Sequence, residues 1–223
     1  MSIESDRQVL LGLLRNTGTD RLPGKLLYSG LGTLKPGKLY LLGYNPGGDA
    51  LIEQSTVSEH LSSLTADWNE YLDAKWRRSA KELAAGTALL QKRIQNLLQV
   101  LSLPVREVCA SNIVFARSAR ADDLSNSTTL EANCWPVHQW ILERVQPKLI
   151  LGLGNDVFDA LLKQAEHKSV IDETPSDHAD WMCRACELEN SGRKYRVVSI
   201  PHLSVYKIEH RQRVLDWLRQ QIE

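Results

Sequence analysis

Two asparagines and a histidine are the residues of this chain whose type and position could do chemistry. Asn45 lies in the polar turn Gly43-Tyr44-Asn45-Pro46-Gly47-Gly48-Asp49, directly after an apolar run. Asn112 interrupts a second apolar run, and His202 follows a third. Amide and imidazole groups can hold a water molecule, recognise a polar ligand edge or stabilise a developing charge. We therefore expect the chemistry to gather around Asn45.

Four apolar or β-prone runs, with helical patterns between them, must position these residues. The runs predict strands at 38–43, 106–117, 147–154 and 195–200. Apolar periodicity predicts helices at 6–15, 50–75, 86–101, 130–145, 155–162 and 209–222. Strands that alternate with helices favour a mainly parallel sheet, and ligands bind beyond the carboxyl ends of such strands. The three side chains are expected to converge on that edge.

Length and composition favour a single domain. A chain of 223 residues with 43% hydrophobic content can bury a sizeable core, and lengths up to about 250 residues need no second one. We expect one α/β domain over 1–223, with a polar insertion at about 163–194 that forms an excursion or a hairpin.

Charge and hydropathy restrict the classes of function. The 27 basic residues balance the 27 acidic ones, so a DNA-binding role would depend on a local basic patch instead of a global field. No apolar segment approaches the roughly 18 residues that span a bilayer, and residues 1–7 lack the pattern of a secretion signal. We expect a cytoplasmic, monomeric protein without a membrane partner.

The four cysteines do not indicate a disulfide framework. Cys109, Cys134, Cys183 and Cys186 are too few and too dispersed, and a reducing compartment would keep them as thiols. Cys183 and Cys186 could supply half of a zinc site, but no matched Cys or His pair accompanies them. We expect no metal.

Several short segments follow one another along the chain: Gly43-Tyr44-Asn45-Pro46-Gly47, Ser111-Asn112-Ile113-Val114, Cys134-Trp135-Pro136, Pro147-Lys148-Leu149-Ile150-Leu151-Gly152-Leu153-Gly154 and Ser199-Ile200-Pro201-His202-Leu203-Ser204-Val205-Tyr206. Taken in this order, they resemble the uracil-DNA glycosylase superfamily. Each is a weak signal alone, but together they follow the family's order over residues 38–218. The resemblance implies a three-layer α/β/α sandwich with a central, mainly parallel four-stranded sheet. It also implies a monofunctional DNA glycosylase that needs no cofactor.

Two departures from the family pattern bear on the mechanism. Where the family has His-Pro-Ser-Pro-Leu-Ser, this chain has Ile200-Pro201-His202-Leu203-Ser204, so its histidine is displaced within a shortened turn. The iron–sulfur branch of the family uses early cysteines, whereas residues 1–100 contain none. We therefore expect no iron–sulfur cluster.

The resemblance implies roles for individual residues. Asn45 would hold the attacking water, with Asp49 as a candidate base nearby. Asn112 would read the edge of the flipped base, and His202 would donate to the departing base or contact a phosphate. The residues expected to surround the base are Gly43, Tyr44, Pro46, Gly47, Asn112 and Trp68. The residues expected to contact DNA are Leu203, Ser204, Val205, Tyr206, Lys207, Arg117 and Arg120.

The predicted DNA contacts include a wedge. Leu203, Val205 and Tyr206 would enter the space that the flipped nucleotide leaves in the base stack. Ser204 would cap a helix or bind a phosphate.

Structural roles compete with these assignments. Asn112 could equally hydrogen-bond to other parts of the fold, because a buried amide without partners costs about 1–3 kcal/mol. His202 could satisfy the backbone of its own turn, and Trp68 could belong to the core. The loop of Arg117 and Arg120 could be solvated, as is expected of Lys92 and Arg93 on the third helix.

Gly47 and Gly48 bear on the substrate. In the uracil-specific branch a bulky tyrosine follows the motif's proline and excludes thymine, whereas these glycines leave that space open. The expected substrate is uracil or, preferably, a 5-substituted pyrimidine such as a phage-modified base, since some members of the superfamily defend bacteria by removing such bases.

Two other functions compete with the glycosylase. A non-catalytic nucleic-acid or nucleotide-binding protein on the same fold is favoured by the zero net charge and the altered His202 segment. A generic nucleotide-phosphate enzyme could use Gly152-Leu153-Gly154 at a helix start, but neither a Walker lysine nor a full dinucleotide fingerprint accompanies these glycines.

Overall fold

The structure is a computed structural model that describes residues 2–78, 81–164 and 167–222. Its α-helices are α1 (Ile3–Asn16), α2 (Val57–Ser63), α3 (Leu89–Val100), α4 (Ser127–Val145), α5 (Asn155–Gln164) and α6 (Gln212–Ile222). Its strands are β1 (Leu39–Gly43), β2 (Arg77–Arg78), β3 (Lys81–Glu82), β4 (Cys109–Asn112), β5 (Leu149–Leu153), β6 (His167–Pro175), β7 (Met182–Asn190) and β8 (Arg193–Ile200). Within these ranges, no helix combines the length and the apolar character needed to cross a membrane.

One sheet of six strands forms the centre of the molecule. Its order is β4-β1-β5-β8-β7-β6. The first four strands in this order are parallel to their neighbours, and β7 and β6 extend the sheet in antiparallel pairing. The prediction of a central, mainly parallel sheet in an α/β protein is confirmed. The predicted number of four strands is wrong.

The two additional strands come from the polar segment at 163–194, of which residues 165–166 lie outside the described ranges. β6 and β7 form a hairpin, and β7 pairs with β8 from Arg184 to Asn190. In β7 the acidic residues Glu187 and Glu189 alternate with the buried residue Leu188. This pattern is typical of an antiparallel strand, and the overall polarity of the segment conceals it.

An apolar core lies on each face of the sheet and creates three layers. Tyr40 and Leu42 contribute to a core with α1, α2, α4 and α5, whereas Leu39 and Leu41 contribute to a core with α3 and α6. Successive side chains of a strand point to opposite faces, so an uninterrupted apolar run such as that of β1 is buried on both sides.

The helix predicted at 50–75 is wrong in its extent, because only α2 forms. Thr56 Oγ1 accepts a hydrogen bond from Glu59 N (3.2 Å), and Glu59 accepts one from Thr56 N (2.8 Å), which starts the helix late. Further along, Asn69 N donates to Asp73 Oδ2 (2.9 Å) within a turn. Local hydrogen bonds from short polar side chains compete with the helical periodicity here.

Residues 23–29 cover the outer edge of β4. Tyr28 N donates to Ala110 O (2.8 Å), and Lys25 N donates to Phe115 O (3.1 Å). These bonds satisfy backbone groups that an edge strand would otherwise expose. They also bring Lys25 and Tyr28 to the end of the sheet where β4 terminates.

Candidate active site

Backbone hydrogen bonds join the loops that follow β1 and β4. Val114 N donates to Tyr44 O (2.8 Å), and Ser118 N donates to Pro46 O (3.1 Å). The parallel pairing of the two strands therefore continues beyond their ends. This arrangement holds the Asn45 loop against the segment that follows Asn112.

A cavity of about 740 Å³ lies at the carboxyl-terminal edge of the four parallel strands. Asn45, Asn112, Gly154 and His202, which end or follow β1, β4, β5 and β8, all line it. Small-molecule sites typically occupy about 300–1,000 Å³, so the cavity can hold a ligand of nucleotide size. The structure thus brings together the three side chains around which the sequence places the chemistry.

Only the donor end of the Asn45 amide is bound by the protein. Asn45 Nδ2 donates to Ser118 Oγ (2.8 Å) and to Pro46 O (3.0 Å). Because Pro46 O can only accept, the contact identifies which end of the amide is the nitrogen. Oδ1 accepts no hydrogen bond from the described residues. It is available to accept one from a water molecule or a ligand.

Asn112 places a buried, unsatisfied donor in the cavity. The residue is only 6% exposed, and a Cβ at Gly43 would lie 2.2 Å from Asn112 Oδ1, so glycine at position 43 is what permits this placement. Asn112 Nδ2 is buried and makes no hydrogen bond of good geometry within the described part of the chain, although the Tyr28 hydroxyl lies close enough to the Asn112 side chain to interact with it. A structural bridge would satisfy this group, because leaving it unpaired is costly. Its state favours recognition of a ligand that supplies an acceptor.

His202 is held as one tautomer by its own turn. Ser204 N donates to His202 Nδ1 (3.2 Å), and Ser204 Oγ lies 2.7 Å from the same nitrogen. A ring nitrogen that accepts from a backbone N–H carries no proton, so the neutral ring carries its proton on Nε2. Burial lowers the pKa of His202 below its usual value, while Asp156 opposes this shift. Nδ1 therefore satisfies the turn, and Nε2–H remains as a donor for a ligand.

A buried arginine of α3 holds the turn that carries His202. Arg93 is 6% exposed, and its Nη1 donates to Leu203 O (2.6 Å) and Ser204 O (2.9 Å). The predicted solvent exposure of Arg93 is wrong. Arg93 lies three residues after Leu90 on the inward stripe of the helix, and that spacing is the signal that could have identified it.

Two of the three predicted wedge residues are buried. Leu203 and Tyr206 are both 0% exposed, and the Tyr206 hydroxyl donates to Ser176 O. Val205 N and Tyr206 N both donate to His202 O (3.1 Å each), so the chain turns back and directs Leu203 and Tyr206 into the core. The predicted DNA contact is therefore wrong for Leu203 and Tyr206. Val205 is 55% exposed.

Asp49 and Trp68 do not line the cavity. Asp49 Oδ1 instead accepts a hydrogen bond from Leu51 N (2.8 Å), so the residue shapes a turn. Trp68 packs against one of the two cores, and its Nε1 donates to Glu70 (3.2 Å). Trp68 therefore belongs to the core. The Asp49 carboxylate lies outside the cavity that Asn45 lines.

The other residues of the Asn45 loop divide between cavity and support. Tyr44 and Gly47 line the cavity, whereas Pro46 is buried beneath it. The Tyr44 hydroxyl donates to Glu131 (2.8 Å), and burial together with that carboxylate raises the pKa of Tyr44 to about 12. Tyr44 is thus a neutral ring fixed at one edge.

Three aromatic rings form a wall that the sequence did not identify as a unit. Tyr28, Tyr71 and Trp76 all line the cavity, with ring centroids 5.8–6.5 Å apart. Aromatic faces of this kind can stack on a nucleobase. Trp76 stands between Lys75 and Arg77, and this alternation of basic and aromatic residues is the signal that was available in the sequence.

The cavity is more basic than the neutral chain. Its basic residues in the described ranges are Lys25, Lys75, Arg77, Arg117 and Arg120, and its acidic residues are Glu53, Glu82 and Asp156. Ser204 also lines it, whereas Lys207 is exposed outside it. Lys25 pairs with Glu70, Lys75 with Glu82 and Arg117 with Glu53, so among the described residues Arg77 and Arg120 are the basic lining side chains left for a phosphate of a nucleic-acid or nucleotide ligand.

Arg117 is a structural part of this basic wall. Its side chain is 4% exposed and forms an ion pair with Glu53 (2.9 Å) while it donates to Gly47 O. The alternative that Arg117 lies in a solvated loop is therefore wrong. Arg120, in contrast, is exposed at the same wall.

The two neighbouring cysteines of β7 cannot share a metal ion. Cys183 belongs to the core on one face of the sheet and Cys186 to the core on the other. Among the described residues, no group of three or more His, Cys, Asp or Glu side chains could hold a metal.

Comparisons with known proteins add no relative to this picture. No protein-family model matches the chain, and no curated protein matches it.

Proposed function

We propose that this protein is a DNA glycosylase that hydrolyses the N-glycosidic bond of a pyrimidine flipped out of the base stack. The observation that carries the proposal is that Asn45, Asn112 and His202 line one cavity and that each keeps one hydrogen-bonding group for a ligand. The three groups are an acceptor, a donor and a second donor.

These groups suit the bond cleavage. As the C1′–N bond breaks, its electron pair moves to the base and leaves a cation-like sugar. Asn112 Nδ2–H and His202 Nε2–H would donate to the carbonyl oxygens of the departing base and stabilise its negative charge. Asn45 Oδ1 would hold the water whose oxygen bonds to C1′, and the proton of that water would pass through solvent to the base.

The proposed chemistry positions the water instead of activating it. An amide cannot remove a proton as a carboxylate can, and Asp49 lies outside the cavity. Attack would therefore follow extensive breakage of the C1′–N bond, and orientation would supply most of the rate enhancement. We expect slow turnover compared with an enzyme that has a carboxylate in this place.

The wall beside Pro46 supports a substituted substrate. A Cβ at Gly47 would meet no atom within 4 Å, so the space that a bulky residue would fill is open. We propose that the site accepts a pyrimidine with a substituent at C5 in addition to uracil, including a modified base from phage DNA.

A panel of oligonucleotides tests the activity. Single-stranded and duplex DNA would carry uracil, a thymine mismatch or a 5-substituted cytosine, and alkali would cleave the resulting abasic sites. We expect strand breaks with at least one base. Their absence with every base would refute the enzyme assignment.

Two variants test the site. Asn45→Ala should lower base release by about a hundredfold or more, as loss of a positioned catalytic group does, while DNA binding is retained. Asn96→Ala, at an exposed position of α3, is the matched control. Gly47→Tyr should lower release of 5-substituted bases at least about tenfold more than release of uracil, because its ring would fill the C5 space.

A non-catalytic binder of nucleotides or nucleic acid is the second candidate. It is favoured by the basic side chains in the cavity and by the absence of Asp49 from it. In that case the protein would bind DNA or a nucleotide without releasing a base, and Asn45→Ala would weaken that binding.

A further inference from the structure

Two apolar side chains stand in solvent at the mouth of the cavity. Leu51 is 83% exposed and Ile52 is 66% exposed, and Ile52 lines the cavity. We refer to them as the Leu51–Ile52 pair. Such exposure is unfavourable for two adjacent large aliphatic side chains unless another molecule covers them.

The turn that carries the pair is built by specific bonds. Asp49 Oδ1 accepts from Leu51 N (2.8 Å), and Asp49 O accepts from Ile52 N (3.1 Å) and Glu53 N (2.9 Å). The Glu53 carboxylate is held by the buried side chain of Arg117 (2.9 Å). The protein thus presents the pair on a defined turn attached to the cavity wall.

The glycosylase proposed above needs a side chain of this kind, and the present inference rests on that function. Asn112 is nearly buried, so a base can reach it only by leaving the duplex. The gap left in the stack is commonly filled by an apolar wedge. Leu203 and Tyr206 cannot serve because they belong to the core.

We propose that the Leu51–Ile52 pair enters the base stack of duplex DNA in the place of the flipped nucleotide. The wedge would then come from the loop after β1 and not from the loop after β8. Arg120, which is exposed on the adjoining wall, supplies positive charge for a DNA backbone beside the apolar insertion. Asp49 acts in this arrangement by shaping the turn.

Fluorescence of 2-aminopurine tests the insertion without any need for base release. The probe is a duplex with a tetrahydrofuran abasic site opposite 2-aminopurine, at saturating protein. Wild-type protein should unstack 2-aminopurine and raise its emission. The double variant Leu51→Ala/Ile52→Ala should lose this rise, and Val9→Ala, on the exposed face of α1, should keep it. Asp49→Asn should also keep it, because an amide oxygen still accepts from Leu51 N.

Several outcomes would overturn the wedge. They are no rise with wild-type protein, a rise that survives in the double variant, and a rise that Val205→Ala abolishes while the double variant retains it. The last would assign the wedge to the loop after β8.

Base release supplies the second readout. The ratio of the rate on duplex DNA to the rate on the same single strand should fall about tenfold in the double variant, because a single strand leaves no gap to fill. An unchanged ratio would contradict the proposal. Failure of the glycosylase function itself would appear differently, as no release from either form by wild-type protein, and the fluorescence result would still decide the wedge.

Discussion

Two buried asparagines at different places in the fold differ in how completely the protein satisfies them. Asn69 is 1% exposed, and both ends of its amide have partners: Nδ2 donates to Val105 O (3.1 Å) and Oδ1 accepts from Tyr71 N (3.0 Å). Asn112 is 6% exposed, but its Nδ2 makes no hydrogen bond of good geometry in the described ranges. An asparagine side chain thus has a structural role at position 69 and keeps an unpaired donor at position 112.

Two histidines repeat this difference. His138, in the core around α4, accepts from the Tyr40 hydroxyl at Nδ1 (2.9 Å) and donates from Nε2 to Ile113 O (3.1 Å). His202 uses Nδ1 for its own turn and keeps Nε2–H for the cavity. Asn69 and His138 are hydrogen-bonded at both ends within the fold, whereas Asn112 and His202 line the cavity and each keep one donor.

The largest effect is expected at the asparagines. Asn112→Ala should lower base release by about a hundredfold to a thousandfold, the cost of one donor to a developing oxyanion, while the free energy of unfolding changes little. Asn69→Ala should do the reverse and lower the free energy of unfolding by about 1–3 kcal/mol, because Val105 O and Tyr71 N lose their partner. Single-turnover rates and urea denaturation measure the two quantities.

Equal losses of stability in Asn69→Ala and Asn112→Ala would remove the distinction between scaffold and site. A fully active Asn112→Ala protein would remove the base-reading role.

The histidines should differ in activity and in its dependence on pH. His202→Ala should lower base release by about a hundredfold. Because burial lowers the pKa of His202, the decline of wild-type activity on acidification should occur at a lower pH than the 6.5 of an accessible imidazole. Protonation of Nδ1 would then oppose the N–H of Ser204. A pH profile of single-turnover rates that declines already above pH 7 would contradict the neutral tautomer.

The sequence predicts that these side chains lie near one another, but it does not predict every element that surrounds them. Parallel strands that end in polar turns must present those turns at one edge, so the sequence suffices to predict that Asn45, Asn112 and His202 lie near one another. It also suffices for the mainly parallel sheet. It does not suffice for the number of strands, because the polar composition of 163–194 hides the alternation of β7.

Side-chain directions in the loops could not be predicted. Leu203 is buried because its turn is held by Arg93, which lies 110 residues earlier in the chain. Asp49 accepts a hydrogen bond from Leu51 N within its own turn. Trp68 falls on the predicted helical stripe, but it is Trp76, outside that stripe, that lines the cavity. The burial of Leu203 depends on a contact between distant segments, which local periodicity does not encode.

His138, whose ring nitrogens are both hydrogen-bonded, should make the free energy of unfolding depend on pH. Burial lowers the pKa of His138 to about 4, from the 6.5 of an accessible imidazole. The unfolded chain then binds more protons between these values, so the free energy of unfolding falls as the pH decreases through this window. In His138→Gln the decrease between pH 7.5 and pH 5 should be smaller by about 2 kcal/mol. A glutamine at position 138 can still donate to Ile113 O. His202→Gln is the corresponding variant at the cavity.

The smallest expected effect belongs to the contact that joins scaffold and site. Arg93→Met should retain the stem of the side chain in the core but release Leu203 O and Ser204 O, so that the ring of His202 is less well oriented. We expect base release to fall about tenfold with little change in DNA affinity, since a positioning residue affects the chemical step. Arg93→Lys should recover part of the loss, and Lys92→Ala, the exposed neighbour, should have no effect. If Arg93→Met lowers stability but leaves the rate per folded molecule unchanged, Arg93 belongs with Asn69 and His138 to the scaffold.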